Sequence, residues 1–249
     1  MASSTRWLSA TLAICAGVSL VAGAGQAANG NEPLPAPQPA AQTVQASAVL
    51  KPAIYRGPKA TSGKVVYLTF DDGPSRYTPA VLNVLKSYNA KATFFVIGSQ
   101  IRTREATMRR IAREGHSVQD HTWRHPNLTR LSSTEISSQF TRTNRAIRRQ
   151  GIRQPVCQRP PYGAFNNRVR RVSQTLSMRT VMWSLDANDW RRPGASAIAR
   201  RVVRGTSNGT IVLMHDGGGN RSQTATALKS VLRTLKARGY RFETLPACP

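Results

Sequence analysis

Two adjacent carboxylates, Asp71 and Asp72, and two imidazoles four positions apart, His121 and His125, are the residues of this chain best suited to chemistry. Neighbouring carboxylates repel, and they tolerate proximity only where a cation or a proton gives them different roles. One of the pair can therefore ligate a metal while the other acts as a base. Imidazoles at i and i+4 face the same way on one helical turn and can share an ion. Two histidines and one aspartate leave a coordination position open for water, and water bound there ionises with a pKa of about 7. That is hydrolytic chemistry near neutrality. Each half is ordinary alone, since an Asp-Asp-Gly turn is commonly solvated and a histidine pair is often structural. His116 lies off this spacing and reads as structural.

The elements that must position these groups are legible. Val65 to Phe70 is β-branched and aromatic, reads as a buried strand, and delivers Asp71 and Asp72 at its C-terminal end. A helix follows over Thr78–Tyr88, with Val81, Leu82, Val84 and Leu85 on its apolar face. Ala92–Ile97 reads as a second strand and Arg102–Arg113 as a second helix stopped by Gly115. Ser117–Gln119 is a short third strand running into His121. Ser132 and Glu135 give a capping-box signal for a helix to about Arg149. Further strands fit Gln154–Gln158, Thr180–Leu185, Thr210–His215 and Tyr240–Glu243, with a helix over Thr224–Lys236. Strand and helix alternate about seven times, the pattern of a parallel sheet wrapped by helices, open or closed as a barrel. Functional side chains in such architectures gather at the C-terminal ends of strands.

Five polar clusters lie there: Thr69-Phe70-Asp71-Asp72-Gly73-Pro74, His121-Thr122-Trp123-Arg124-His125, Arg159-Pro160-Pro161-Tyr162-Gly163, Asp186-Ala187-Asn188-Asp189-Trp190 and Leu213-Met214-His215. With these motifs the chain resembles the polysaccharide deacetylases of carbohydrate esterase family four, the nodulation-type chitooligosaccharide deacetylase domain, from about Lys64 to Leu245. The resemblance implies an α/β fold, a distorted (β/α) barrel of about seven parallel strands. It also implies metal-dependent hydrolysis of N-acetyl groups on a peptidoglycan- or chitin-type polysaccharide. Asp72, His121 and His125 would bind Zn2+, or another divalent transition metal such as Co2+, with Asp71 as general base. The Tyr162 N–H would help to stabilise the tetrahedral oxyanion. His215 would protonate the departing amine, because an amine anion is a prohibitive leaving group. Arg159 would orient Asp71, Asp189 would orient His215, and Tyr162, Trp190 and Leu213 would contact the substrate, the last two walling an acetyl pocket. Asp186 has no assigned role, while Asp120 and Asp216 flank site histidines and could support them. One departure is Gln158, where an apolar residue often precedes the motif arginine. The same machinery would serve an esterase removing O-acetyl groups from xylan.

Composition bounds the rest. The 249 residues include 36 Lys and Arg against 11 Asp and Glu, a formal charge of +25, with 40% hydrophobic residues. The hydrophobic share supports one sizeable core. The charge favours anionic partners such as nucleic acid, acidic membranes or wall polymers. Arg6 precedes an apolar stretch from Leu8 to Ala24 with small residues around Ala24–Ala28, which reads as a cleaved export signal over residues 1–28. The stretch is short and interrupted for a stable membrane span. Cys15 follows Leu12-Ala13-Ile14, a lipobox-like run in which Ile14 is large. Residues 29–63, rich in Pro, Ala and Gln, read as an extended linker, leaving 64–249 as the catalytic domain. Export leaves Cys157 and Cys248, an even pair suited to a disulfide. The expectation is a secreted, wall-associated monomer acting on an N-acetylated polysaccharide, with anionic wall polymers as further partners. Nucleic acid is disfavoured by the export signal and by 6% aromatic residues without interleaved stacking positions. A non-catalytic basic wall-binding protein, using Arg142–Arg149 and Arg168–Arg171, is the alternative class, and the complete catalytic motifs argue against it.

Overall fold

The computed structural model describes residues 49–249; the export segment, Cys15 and the first part of the Pro-rich stretch lie outside the described residues. Eight strands, β1 (Lys64–Gly73), β2 (Thr93–Val96), β3 (Ser117–Asp120), β4 (Cys157–Gln158), β5 (Arg179–Thr180), β6 (Leu185–Asp186), β7 (Thr210–His215) and β8 (Tyr240–Phe242), form one sheet. Its order is β5-β4-β3-β2-β1-β7-β6, β8 pairs with the start of β1, and every pairing is parallel. β5 and β6 are opposite edges of this sheet, yet only Val181–Ser184 separate them in sequence. From Thr180 to Leu185 the chain reaches at most about 18 Å. The sheet must therefore curl until its edges nearly meet, and the fold is a distorted (β/α) barrel.

Both faces of β1 are buried, and alternation sorts them. Val66, Leu68 and Phe70 join Phe94, Leu82, Leu85, Leu228 and Leu232 in the layer between sheet and helices. The opposite face carries Val65 and Tyr67, which pack with Phe95, Val181, Ile211 and Leu245 inside the barrel. Thr69 and Asp71 continue that inward line towards the mouth. Cys157 and Cys248 are disulfide-bonded in this inner cluster, tying the C-terminus to β4 across 91 residues. Closing a loop of that length stabilises a fold by roughly 3–5 kcal/mol in the chain-entropy picture.

Among the described residues, six α-helices cover the sheet: α1 (Thr78–Ser87), α2 (Glu105–Arg113), α3 (Ser133–Arg148), α4 (Asn167–Thr175), α5 (Ala195–Gly205) and α6 (Ser222–Ala237). The Ser132–Glu135 capping box is formed at the start of α3, and Asn166 caps α4 by accepting from the Val169 N–H at 3.1 Å. Four expectations are corrected. The helix expected over Arg102–Arg113 is a 3-10 segment, Gly98–Thr103, followed by α2, because Arg104 (φ −142°, ψ 34°) leaves helical geometry between them. The strand expected over Thr180–Leu185 is two short edge strands, since its middle crosses the seam of the barrel. The strand expected over Gln154–Gln158 shortens to β4. The packed unit begins before Lys64: the Ile54 N–H donates to the Thr180 carbonyl at 2.9 Å, the Ile54 carbonyl accepts from Met182 at 2.7 Å, and Tyr67 donates to the Pro58 carbonyl at 3.0 Å. The apolar Ile54 is drawn into the seam that the edges leave open.

His116, 7% exposed, accepts the Ala92 N–H on Nδ1 at 3.2 Å, which requires a neutral ring. Burial, reinforced by the Lys91 charge, pushes this imidazole down to about 4 against a partial opposing pull from Glu114. The folded state thus binds its proton later than the unfolded chain. The stability this provides is complete above the ordinary value near 6.5 and is lost as pH falls towards 4. Urea unfolding at pH 7.0 and 4.5 should show the wild type losing roughly 2 kcal/mol more than His116→Gln. Equal losses would show that the ring is not held neutral.

Candidate active site

The barrel's C-terminal rim gathers the five clusters. A regular strand would send Asp71 and Asp72 to opposite faces. The β1–β2 register instead shifts between Asp71, opposite Phe95, and Gly73, opposite Val96. Asp72 is the extra residue of this bulge and has a left-handed φ of 71°. Both carboxylates consequently reach the same mouth. Opposite Asp71, in register on β7, stands His215.

His121 and His125 are not on a helical turn. They lie in a loop after β3 in which Thr122 (φ 70°) and His125 (φ 60°) are both left-handed. The Thr122 N–H donates to Asp120 Oδ1 at 2.6 Å and the His125 N–H to Thr122 Oγ1 at 2.9 Å, fixing that loop. The expectation of shared facing is met by a different backbone. Asp72 Oδ1 lies 3.4 Å from His121 Nε2 and 3.3 Å from His125 Nε2.

These three residues fit a cation. His121 Nδ1 is 2.8 Å from the Arg159 carbonyl, which can only accept, so Nδ1 carries the proton and a neutral ring presents a lone pair at Nε2. Asp72 Oδ1 is buried without a hydrogen-bond partner among the described residues. Lone pairs facing one another need a positive charge between them. Ligand atoms about 2.05 Å from a tetrahedral ion stand about 3.3–3.4 Å apart, which is the spacing of Asp72 Oδ1 from each imidazole, and all three ligand atoms lie within 4.8 Å of one another. Burial acts to raise the Asp72 carboxyl, but in the metal-free protein the neighbouring imidazoles of His121, His215 and His125, wherever they carry a proton in place of the cation, hold it well below the usual range.

Asp71 is held from below. Arg159, fully buried, donates from Nη1 to Asp71 Oδ1 at 2.8 Å and to Thr69 Oγ1 at 2.7 Å, and from Nη2 to the Met182 carbonyl at 2.9 Å. Asp71 Oδ2 points towards the histidine pair, 3.8 Å from His121 Nε2. On the other side, His215 Nδ1 lies 2.7 Å from Asp189 Oδ1, while Asp189 Oδ2 accepts the His215 N–H at 2.8 Å and the Thr224 hydroxyl at 2.7 Å. Burial lowers the His215 ring's affinity for a proton, but the Asp189 hydrogen bond and charge outweigh it, and its pKa is raised.

A cavity of about 440 Å³ opens over these groups, lined by Asp71, Asp72, His121, His125 and His215 together with Tyr162, Trp190 and Leu213. Leu213 is nearly buried, Trp190 half exposed, and Tyr162 projects into solvent with a left-handed φ of 59° and its ring edge-on to His125. Trp183 and Arg221, which sequence reasoning did not single out, also line the cavity, as does Asp186, which opens the fourth cluster and was given no role there. Trp183 belongs to the crossing segment, where periodicity carries no signal. Asp186 accepts the Asn188 N–H at 2.7 Å and so shapes the turn leading to Asp189. Arg221 donates to the Gly217 and Gly218 carbonyls at 2.6 and 2.8 Å. Asp120 and Asp216 act on loops rather than on imidazoles. Asp216 lies under Gly73 and accepts the Thr78 hydroxyl at 2.5 Å, and burial raises it to about 7.

A candidate three-residue cation nest on the rim of a curled parallel sheet, flanked by the Arg159-paired Asp71 and an aspartate-paired histidine, marks the mouth of a (β/α) barrel. Comparison with known proteins agrees. The family model described as polysaccharide deacetylase matches residues 58–181. The peptidoglycan-N-acetylglucosamine deacetylase PgdA of Listeria monocytogenes is 41% identical over 189 residues, covering 76% of this chain and 39% of that protein, so the chain spans about two fifths of that relative's length. A chitooligosaccharide deacetylase of Sinorhizobium fredii is 38% identical, with 75% of this chain and 92% of that protein covered. The crystal structure of the Bc1960 peptidoglycan N-acetylglucosamine deacetylase superposes with a TM-score of 0.73 at 34% identity, covering 78% of this chain and 91% of that one. The chain belongs to the polysaccharide deacetylases of carbohydrate esterase family four.

The nest also depends on a residue without a side chain. A Cβ at Gly218, whose φ is 68°, would collide with the Asp72 carboxylate. Titrating metal-free protein with Co2+ should give a tetrahedral visible spectrum in the wild type. Asp72→Asn should weaken binding at least about 100-fold, because a charged ligand is lost. Gly218→Ala should weaken it about 10-fold by displacing that ligand. Unchanged binding in Asp72→Asn would place the cation elsewhere.

Proposed function

We propose that the chain is a metal-dependent deacetylase that hydrolyses N-acetyl groups on N-acetylglucosamine units of a peptidoglycan- or chitin-type polysaccharide, releasing acetate. The observation that carries the reading is the convergence of Asp72, His121 and His125 beside an unligated Asp71, with His215 across the same cavity. The names of the Listeria and Sinorhizobium relatives point to these two substrate types. The nitrogen and oxygen donors favour Zn2+, and Co2+ suits the same set. The inner disulfide and the substrate class support action outside the cell.

A divalent cation held by Asp72, His121 and His125 supplies Lewis acidity, polarising the acetyl carbonyl and lowering the pKa of the attacking water. The remaining steps belong to side chains. Asp71, with Oδ1 occupied by Arg159, keeps Oδ2 to take the proton as water oxygen bonds to the acetyl carbon. The Tyr162 N–H donates to the oxygen on which negative charge then develops. His215, protonated and held by Asp189, gives its proton to the sugar nitrogen as the carbon–nitrogen bond breaks. A free amine and acetic acid result; of the two protons then on Asp71 and on the acid, one restores His215 and the other goes to solvent, leaving acetate. Trp190 and Leu213 exclude water around the acetyl methyl group, and Tyr162 presents a face to the sugar.

Acetate release from a chitooligosaccharide, from peptidoglycan and from acetylated xylan, each with and without chelator, tests the reading; chelator-insensitive release or action on xylan alone would overturn it. Asp71→Asn should lower kcat about 10²–10⁴-fold while metal content stays at the wild-type level. Asp189 raises the His215 pKa, so activity requiring protonated His215 fails as pH climbs through that raised value. Asp189→Asn should move the alkaline limb of the kcat profile to lower pH, with a greater loss at pH 8 than at pH 6. An unmoved limb would remove His215 as the proton donor.

A further inference from the structure

Catalysis leaves the most basic part of the molecule unexplained. Between His121 and Leu185 the sequence carries twelve arginines, no lysine and one carboxylate, Glu135, which is committed to its capping box with Ser132. Arg142, Arg145 and Arg149 follow one another at i, i+3 and i+7, so they leave one face of α3 and its C-cap over about 10 Å. α4 packs against α3 and adds Arg168 and Arg171. Two shallow depressions of about 780 and 490 Å³ adjoin on this face and share Thr141 and Arg145. Ser137, Ser138, Thr141 and Thr175 contribute hydroxyls to the larger one. Among the described residues, the arginine–carboxylate pairs on the surface are Arg109–Glu105, Arg110–Glu114 and Arg241–Glu243, all on other elements. Like charges gathered on one helix face oppose one another unless a counter-charge covers them.

The face adjoins the catalytic mouth. Arg142 stacks 4.5 Å over Trp123, within the His121–His125 loop, and Gln139 of α3 accepts the Trp123 and Arg124 N–H groups at 3.1 and 3.0 Å. We propose that the α3–α4 groove docks a linear sugar- or polyol-phosphate polymer, holding the enzyme on an anionic envelope beside its uncharged substrate. Guanidinium forks bind the two free oxygens of a phosphodiester in bidentate fashion. The serine and threonine hydroxyls match the hydroxyls that such a polymer carries between its charges and that an acidic polypeptide lacks. Nucleic acid fits less well. The exposed large apolar side chains among the described residues, Val49, Tyr55, Tyr162 and Trp190, are all off α3 and α4, so the groove has no platform for bases.

The test uses the full chain and poly(glycerol phosphate) of defined length. Arg145, Arg149 and Arg171 are exposed and stand outside the catalytic machinery. The triple variant Arg145→Gln/Arg149→Gln/Arg171→Gln should bind the polymer at least about tenfold more weakly than wild type. Its dependence of log K on log salt should flatten by about 2, some 0.7 per lost contact. Turnover of an uncharged chitooligosaccharide should match wild type, which separates this docking from the catalytic reading. The control Arg200→Gln/Arg204→Gln/Arg233→Gln removes the same charge from α5 and α6. Equal loss in the control would overturn the proposal in favour of diffuse charge. Tighter or equal binding of a polyuronate or a single-stranded oligonucleotide of matched charge would overturn it in favour of another ligand.

Discussion

The site depends on one extra residue in β1. Strand alternation places Asp71 inside the barrel and would place its neighbour outside, and a bulge with Asp72 in the left-handed region brings both carboxylates to one mouth. The surroundings leave the bulge little freedom. Gly217 and Gly218 occupy space where a Cβ would strike the Asp72 carbonyl and carboxylate, and a Cβ on Gly73 would strike the Asp216 carboxylate. Asp71 is then set against His215 by sheet geometry. Asp71 and His215 are register partners on β1 and β7, so their backbones stand one strand spacing apart, about 4.8 Å. A one-residue slip of β7 would carry His215 to the other face and leave Asp71 without a partner across the cavity.

Arg159 joins the two halves of this arrangement. Its side chain holds Asp71, and its own carbonyl orients His121 through Nδ1. One buried cation thus positions the carboxylate that stays free and one imidazole that can bind metal. Such a charge is costly to bury, and it is tolerated because an ion pair, a hydroxyl and two carbonyls surround it while Phe95 lies 4.2 Å from its guanidinium carbon. Removing either member of the Arg159–Asp71 pair would leave an uncompensated buried charge, at about 3–5 kcal/mol. Loss of activity in an Arg159 variant would therefore mix stability with chemistry; Asp71→Asn keeps shape and a hydrogen-bonding oxygen but also leaves the Arg159 charge without its counter-ion, so its stability has to be measured beside kcat.

Much of this was legible in the sequence. The β-branched run ending at Asp71, the capping box of α3 and the order of polar clusters at strand ends all follow from local pattern, and each cluster lies on the barrel rim. Features set by closure of the sheet were not legible. Val181–Ser184 look like the middle of a strand because Val181 and Trp183 are good strand residues, yet they span the seam. Ile54 sits in a stretch whose prolines suggest a linker, and it pairs with Thr180 and Met182 only because the seam leaves unpaired backbone there. The histidine spacing suggested a helical turn, and the loop reaches the same convergence through Thr122 and His125 in left-handed geometry. Periodicity records whether side chains share a face of a regular element and is silent about irregular ones.

That irregularity has a pattern. Asp72, Thr122, His125 and Tyr162 are left-handed without being glycine and lie in the segments that line or brace one cavity; Asn188 and Arg192 flank its Asp189–Trp190 turn, while Asn89 and Ser177 lie just after α1 and α4. Such conformations cost roughly 1–3 kcal/mol each and persist where surrounding contacts over-determine them. Here irregular backbone brings the carboxylate and the two imidazoles together, with Asp72 Oδ1 within 3.4 Å of each ring nitrogen. The barrel supplies rigidity, and its rim supplies the exceptions. The same division explains why the scarce carboxylates matter: Asp120 and Asp216, buried beside this rim, hold the loop N–H of Thr122 and the hydroxyl of Thr78 rather than meeting solvent. Precision at the mouth therefore rests on buried acids and tethered loops that a surface view of so basic a protein would not reveal.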